Sequence, residues 1–151
     1  VQTDAVRVSG KNNVVAKKAV VKGDFRYLSL LQKTRFEKHL TDIVRHHLKG
    51  THAEVEFIDG IPALPPNAKS LAVLRIYSAA STDLGLGAVK PLPPGMRGAG
   101  DISHLAEIVP AKLIGLGPLG LGSHSVVETV ELSSLTVQTE RAALLMLRLL
   151  N

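Results

Sequence analysis

One histidine at the end of a glycine-rich run carries the strongest chemical signal in the chain. The run is Gly115-Leu116-Gly117-Pro118-Leu119-Gly120-Leu121-Gly122-Ser123-His124, and Glu128 follows after Ser125-Val126-Val127. Imidazole nitrogen and carboxylate oxygen are both zinc ligands, and glycines let a loop bring its backbone close to a bound group. A catalytic zinc takes about three protein ligands and keeps one position open for water. One histidine cannot supply that, so His124 reads as one member of a larger site. Taken bare, the alternative is an ordinary surface-loop histidine.

The remaining histidines do not complete such a site. His39, His46 and His47 fall on one expected helix, where the adjacent pair His46-His47 diverges around the axis. His104 reads as a helix-face residue, and His52 adds no second ligand group. The chain has no cysteine, which excludes disulfides, thiolate metal sites and a cysteine nucleophile.

Composition places the chain among ordinary folded domains. Its 151 residues suit one domain or two very small ones, and 45% are apolar. Aromatics are only 3%, so any core rests on Leu, Val, Ile and Ala. The net charge is +5. Most of the excess sits at Lys11, Lys17, Lys18, Lys22, Lys33 and Lys38 in the first half. Base-stacking aromatics are nearly absent among these lysines, so a solvated basic face is expected and nucleic acid is not. No run of about 18 apolar residues is present and no signal peptide is visible, so no membrane partner is expected. The expectation is a soluble protein, cytoplasmic or exported. The start at Val1, inside strand-like sequence, reads as a processed or truncated product.

The elements that must position these groups follow from periodicity. Val1–Ser9 is extended, Gly10-Lys11-Asn12-Asn13 turns, and Val14–Leu28 reads as a long strand. Its packed face is expected at Ala19, Val21, Gly23, Phe25 and Tyr27, leaving Asp24 and Arg26 pointing away. Leu30–Leu48 is an amphipathic helix with Phe36, Leu40, Ile43, Val44 and Leu48 in a stripe. Glu54–Ile58 is a short strand, and the prolines at 62, 65 and 66 mark a boundary. Beyond it, a helix over Ala68–Ser81 carries Leu71, Leu74 and Tyr77 on one side. Short strands are expected at Ala88–Pro91 and Lys112–Leu116. Asp101 opens a helix through His104 and Ala106 as a cap or turn anchor. Leu132–Leu150 forms the last helix, with Ser133 or Ser134 as N-cap. The end of that helix is apolar nearly all round and calls for burial on several sides. Two convincing strands in the second half are too few for a covered parallel sheet.

Several motifs in one order give the chain a family likeness. They are Gly10-Lys11-Asn12-Asn13-Val14-Val15, Gly23-Asp24-Phe25-Arg26-Tyr27 and Asp59-Gly60-Ile61-Pro62-Ala63, then Gly98-Ala99-Gly100-Asp101-Ile102-Ser103, Gly115-Leu116-Gly117-Pro118, and His124 with Glu128 and Ser133-Ser134-Leu135. Together they resemble the C-terminal portion of the zinc-dependent exopeptidase and amidohydrolase family that contains glutamate carboxypeptidase, succinyl-diaminopimelate desuccinylase and aminoacylase. The resemblance implies an α/β (α+β) fold: over 1–62 the second half of a ferredoxin-like lid or dimerisation domain, and over 63–151 the C-terminal section of an α/β catalytic domain.

The resemblance also implies roles. His124 matches the last ligand of a two-zinc site. Asn13 and Arg26 match lid residues that bind the substrate carboxylate or the scissile carbonyl. A guanidinium fork suits a carboxylate, holding it with two parallel hydrogen bonds. The plainer alternatives are an ion pair of Arg26 with Asp24 and a turn role for Asn13. The complete enzyme would hydrolyse an amide or peptide bond beside a free carboxylate, in a peptide or N-acyl amino acid, with a glutamate as general base for zinc-bound water.

Departures are equally plain. Ala16 stands where the family has a proline. No His-x-Asp and no Glu-Glu occurs, so most metal ligands and the general base are absent. The isolated chain is therefore expected to be inactive and to lack tight zinc. It is expected to pair with a missing N-terminal half of the catalytic domain, and to form a homo-oligomer through the lid. The rival expectation is a non-catalytic dimerisation or binding fragment.

Overall fold

The computed structural model describes residues 2–9, 16–96 and 98–150, and combines three α-helices with two separate antiparallel two-stranded ladders. The chain is thus mixed α and β. It divides into two units, Val1–Phe57 and Ile58–Asn151.

In the first unit, β1 (Gln2–Ser9) pairs antiparallel with β2 (Lys18–Asp24). The register runs from Ser9 opposite Lys18 to Gln2 opposite Asp24, and shifts between Thr3 and Ala5. β2 has the β-branched, alternating sequence of a strand, yet every one of its residues is exposed. Val21, expected on the packed face, is 65% exposed. The cover begins only beyond the strand, where Phe25 stacks on Tyr27 and on Phe36 with ring centroids 5.7 and 3.7 Å apart.

Phe36 belongs to α1 (Leu30–Arg45), which ends three residues short of the expected Leu48. Its start is locally encoded. The Ser29 hydroxyl accepts the Gln32 amide, and the Gln32 side-chain oxygen reaches back to accept the Leu28 amide. This is a reciprocal arrangement close to a capping box. At the other end the Thr51 hydroxyl and amide both donate to Leu48 O, so Leu48 closes a turn instead of extending the helix.

The second unit is organised by α2 (Ala68–Asp83) and α3 (Leu132–Leu150). Asn67 caps α2 by accepting the Ser70 amide at 2.8 Å. A Schellman turn ends it: Gly85 has φ 74°, its amide donates to Thr82 O, and the Leu86 amide donates to Ser81 O. α3 begins at Leu132, one residue before the serines expected to cap it. Ser133 and Ser134 lie inside the first turn, and both hydroxyls fold back onto Glu131.

The seam between α2 and α3 is polar. Tyr77 donates its hydroxyl to Gln138 Oε1 at 3.0 Å, and Arg141 spans Ser81 Oγ, Gln138 Oε1 and Leu86 O. Arg148 pairs with Asp83 at the end of the seam. Among the described apolar residues only Tyr77, Ala80 and Leu145 are buried. Leu71, expected inward, is 41% exposed, because the contact with α3 runs along Tyr77, Ala80 and Ser81.

The expected strands at Glu54–Ile58, Ala88–Pro91 and Lys112–Leu116 do not form ladders. A strand requires a neighbour, and helix hydroxyls take that place here. Ser78 Oγ accepts the Val89 amide and Ser70 Oγ accepts the Lys112 amide, both at 3.0 Å. The buried Lys112 ammonium donates to Ala106 O and Val109 O. It closes the turns that follow a 3-10 segment over Asp101–Leu105. Gly100, not Asp101, occupies the cap position of that segment, and no side chain caps it.

The chain exposes 12205 Å² of surface. Large apolar side chains stand exposed in both units, from Leu30 and Leu48 in the first to Ile108, Leu121 and Leu150 in the second. No helix among the described residues is long and apolar enough to cross a membrane.

Candidate functional site

His124 sits at the tip of a short hairpin built by its glycines. β3 (Gly120–Leu121) pairs with β4 (Thr129–Val130), with Gly120 opposite Val130 and Leu121 opposite Thr129. A side chain at Gly120 would collide with Thr129 O, so only glycine allows the strands to approach this closely. Gly122, with φ 70°, starts the loop. The Ser125 amide and hydroxyl both return to Gly122 O, at 3.1 and 2.6 Å, and the Glu128 amide donates to Ser125 O.

Within this loop His124 has φ 65°, the only left-handed conformation among the described non-glycine residues. That geometry costs an L-residue about 1–2 kcal/mol. Histidine tolerates it better than most residues, and such outliers concentrate at functional loops. The side chain is exposed, as is Glu128.

The hairpin is tied to α3 at its base. Glu131 donates its amide to Leu119 O at 2.8 Å, and the Leu119 amide donates to Ser134 Oγ at 2.9 Å. The sequence run Ser133-Ser134 therefore holds the hairpin as well as the helix start. Beside it lies an open groove lined by Pro118, Leu119, Gly120, Ser123, Glu128, Thr129 and Val130. Ser123, Glu128 and Thr129 are its polar side chains; His124 is not part of its wall.

Arg26 lies in the other unit, just past the end of β2. Its Nε donates to Asp24 Oδ2 at 2.9 Å, with the two side chains 82% and 52% exposed. This is the ion pair that its plainer reading foresees. An exposed pair of this kind contributes little to stability, so Arg26 can exchange Asp24 for another carboxylate at small cost. Asn13 and the Gly10–Val15 motif lie outside the described residues. His124 and Arg26 thus belong to different units.

Among the described residues no three His, Asp or Glu side chains gather where a metal ion could be held. His47 and His52 meet edge to face at 6.2 Å, and His52 lies 3.9 Å from Glu54. All three are exposed and stop short of a ligand cluster.

The sequence reading missed two features. One is the serine pattern on α2, where Ser70, Ser78 and Ser81 bind the neighbouring backbone. Their spacing of eight and three residues on one helical face was the available signal. The other is buried Lys112, an isolated lysine inside an apolar segment. No family model, curated protein or solved structure matches the chain.

Proposed function

We propose that the chain is part of a zinc metallopeptidase or amidohydrolase that cleaves an amide or peptide bond beside a free carboxylate, and that these 151 residues are inactive alone. In this reading 1–62 is the second half of a ferredoxin-like lid and 63–151 the C-terminal section of the catalytic domain. The observation that supports it best is His124 itself. It is a histidine held at positive φ on an exposed, glycine-built tip, within a set of motifs in the family's order. Its imidazole would be one zinc ligand, and Arg26 would receive the substrate carboxylate in place of Asp24, with Asn13 assisting. The other ligands and the glutamate base come from a polypeptide carrying His-x-Asp and Glu-Glu, which pairs with this chain.

Metal analysis tests the reading. The purified chain is expected to hold less than one equivalent of zinc after dialysis; two bound zinc ions would refute the ligand assignment. Joined to a segment carrying His-x-Asp and Glu-Glu, the chain is expected to bind zinc and hydrolyse N-acyl amino acids, and His124→Ala to lose both.

The second reading is a non-catalytic dimerisation or binding fragment of the same family. It takes the same motifs without a partner that supplies the remaining ligands. The mass of the intact source protein separates the two: a larger protein with the ligand motifs supports the enzyme, and a chain of this size supports the fragment.

A further inference from the structure

Among the described residues β2 pairs with β1 alone, so its other edge leaves ladder groups unused. In the same unit, Glu54-Val55-Glu56-Phe57 carries the alternation of a strand and has no ladder. It is exposed apart from the half-buried Val55, and Phe57 is 39% accessible.

The two segments are complementary on both faces. In β2, Lys18, Val20 and Lys22 share one face, and Ala19, Val21 and Gly23 share the other. Beyond β2, Glu54 and Glu56 alternate with Val55 and Phe57. Laid parallel to β2 with Glu56 beside Lys22, the segment sets Glu54 between Lys18 and Lys22. Val55 then falls beside Val21, and Phe57 beside Gly23. One face matches two carboxylates to two ammonium groups, and the other matches apolar to apolar. A slip of one residue would turn both glutamates onto the apolar face. Among the described residues Lys18, Lys22 and Glu56 take part in no ion pair, and Glu54 only approaches the exposed His52 at 3.9 Å.

The connection has the required reach. A parallel neighbour needs a crossover of about a dozen residues or more, usually a helix. α1 stands between β2 and the segment. The seven residues of β2 cover about 23 Å and the sixteen of α1 about 24 Å, so the helix is long enough to return the chain to the level of Lys18. Phe25 continues the set Ala19, Val21 and Gly23, and its stack on Phe36 ties α1 to that set.

We propose that the first unit closes on itself: Glu54–Ile58 adds to the free edge of β2 as a parallel strand, with Lys18 and Lys22 latching Glu54 and Glu56. β2, α1 and this strand then form one β-α-β unit. Closure sets Val55 against the exposed Val21 and fixes where the chain leaves the first unit, whose boundary follows Phe57. The inference is independent of the metallohydrolase reading.

Disulfide trapping in the full chain tests it, because the chain has no cysteine of its own. Lys22→Cys with Glu56→Cys puts two thiols on neighbouring strands within disulfide reach. Lys22→Cys with Phe57→Cys puts them on opposite faces. Mild oxidation is expected to close the first pair within one chain at least about tenfold faster than the second. Far-ultraviolet circular dichroism should stay unchanged, since all three positions are exposed. Charge reversal is the second arm, read by amide exchange at residues 54–58. Glu56→Lys should lower protection there at least about fivefold, and Glu56→Lys with Lys22→Glu should restore it. Equal trapping rates for the two pairs, a first pair that links only between chains, protection that Glu56→Lys leaves intact, or a double reversal that restores nothing would each overturn the proposal.

Discussion

Arg141 donates from Nε to Ser81 Oγ at 2.9 Å, and the same hydroxyl donates to Gly87 O at 2.6 Å. One fully buried serine thus joins α3, α2 and the turn that leaves α2. Ser81→Ala removes both bonds and takes a partner from the part-buried Arg141 Nε and from Gly87 O. It is expected to lower stability by about 1–3 kcal/mol in urea unfolding. Thr82→Ala, on the exposed side, should cost less than about 0.5 kcal/mol.

Gly120→Ala should open the hairpin, because the new methyl group has no place beside Thr129 O. Amide hydrogen exchange across 119–131 should accelerate at least tenfold. Gly117→Ala, with open space at its Cβ, is the control and should leave exchange unchanged.

His124→Gly removes the left-handed strain at the loop tip. It is expected to hold or raise stability, by up to about 1 kcal/mol, since relief of strain is partly offset by a more flexible unfolded chain. The His124 side chain is exposed, so its ring should contribute little packing. A loss above 1 kcal/mol in thermal melting would show that the ring has a packing role instead.

In the first unit, Asp24→Asn and Phe36→Ala should differ sharply. The Asp24–Arg26 pair is exposed, so its removal should shift stability by less than about 0.5 kcal/mol. Phe36 stacks on Phe25 and anchors α1, and its truncation should cost about 2–3 kcal/mol, read by circular dichroism during denaturation.

What was legible in the sequence was local. Ser29 with Gln32, Asn67 before Ala68 and Gly85 after Leu84 fix helix ends through bonds a few residues long, so α1 and α2 start where expected and α3 occupies Leu132–Leu150 as expected. The strands read on either side of Gly10 do pair, over Gln2–Ser9 and Lys18–Asp24. The strands expected at Glu54–Ile58, Ala88–Pro91 and Lys112–Leu116 rest on short apolar or alternating runs. Ladder formation depends on a neighbour, which apolar content cannot supply. Inward faces were misjudged for a related reason: hydrophobicity marked Leu71 and Val21 as core, whereas the contacts that form run through Ser81, Gln138 and Arg141. At the site, the glycines around His124 point to close approach to a bound group; Gly120 serves instead the approach of its own partner strand. The tether from Ser134 to Leu119 depends on a register that spacing does not reveal.

The Tyr77–Gln138 bond joins residues 61 positions apart, and Arg141 to Ser81 spans 60. Closing a loop of that length costs roughly 3–4 kcal/mol of chain entropy before any contact across it is rewarded. The caps of α1 and α2 carry no such cost. Folding of this chain is therefore ordered in time: its helices arise quickly and separately, and docking of α3 on α2 is the slow step. Until it occurs, the guanidinium and amide groups of α3 face water and its leucines face whatever is nearest. The interval before docking is when the chain is most exposed to mispairing.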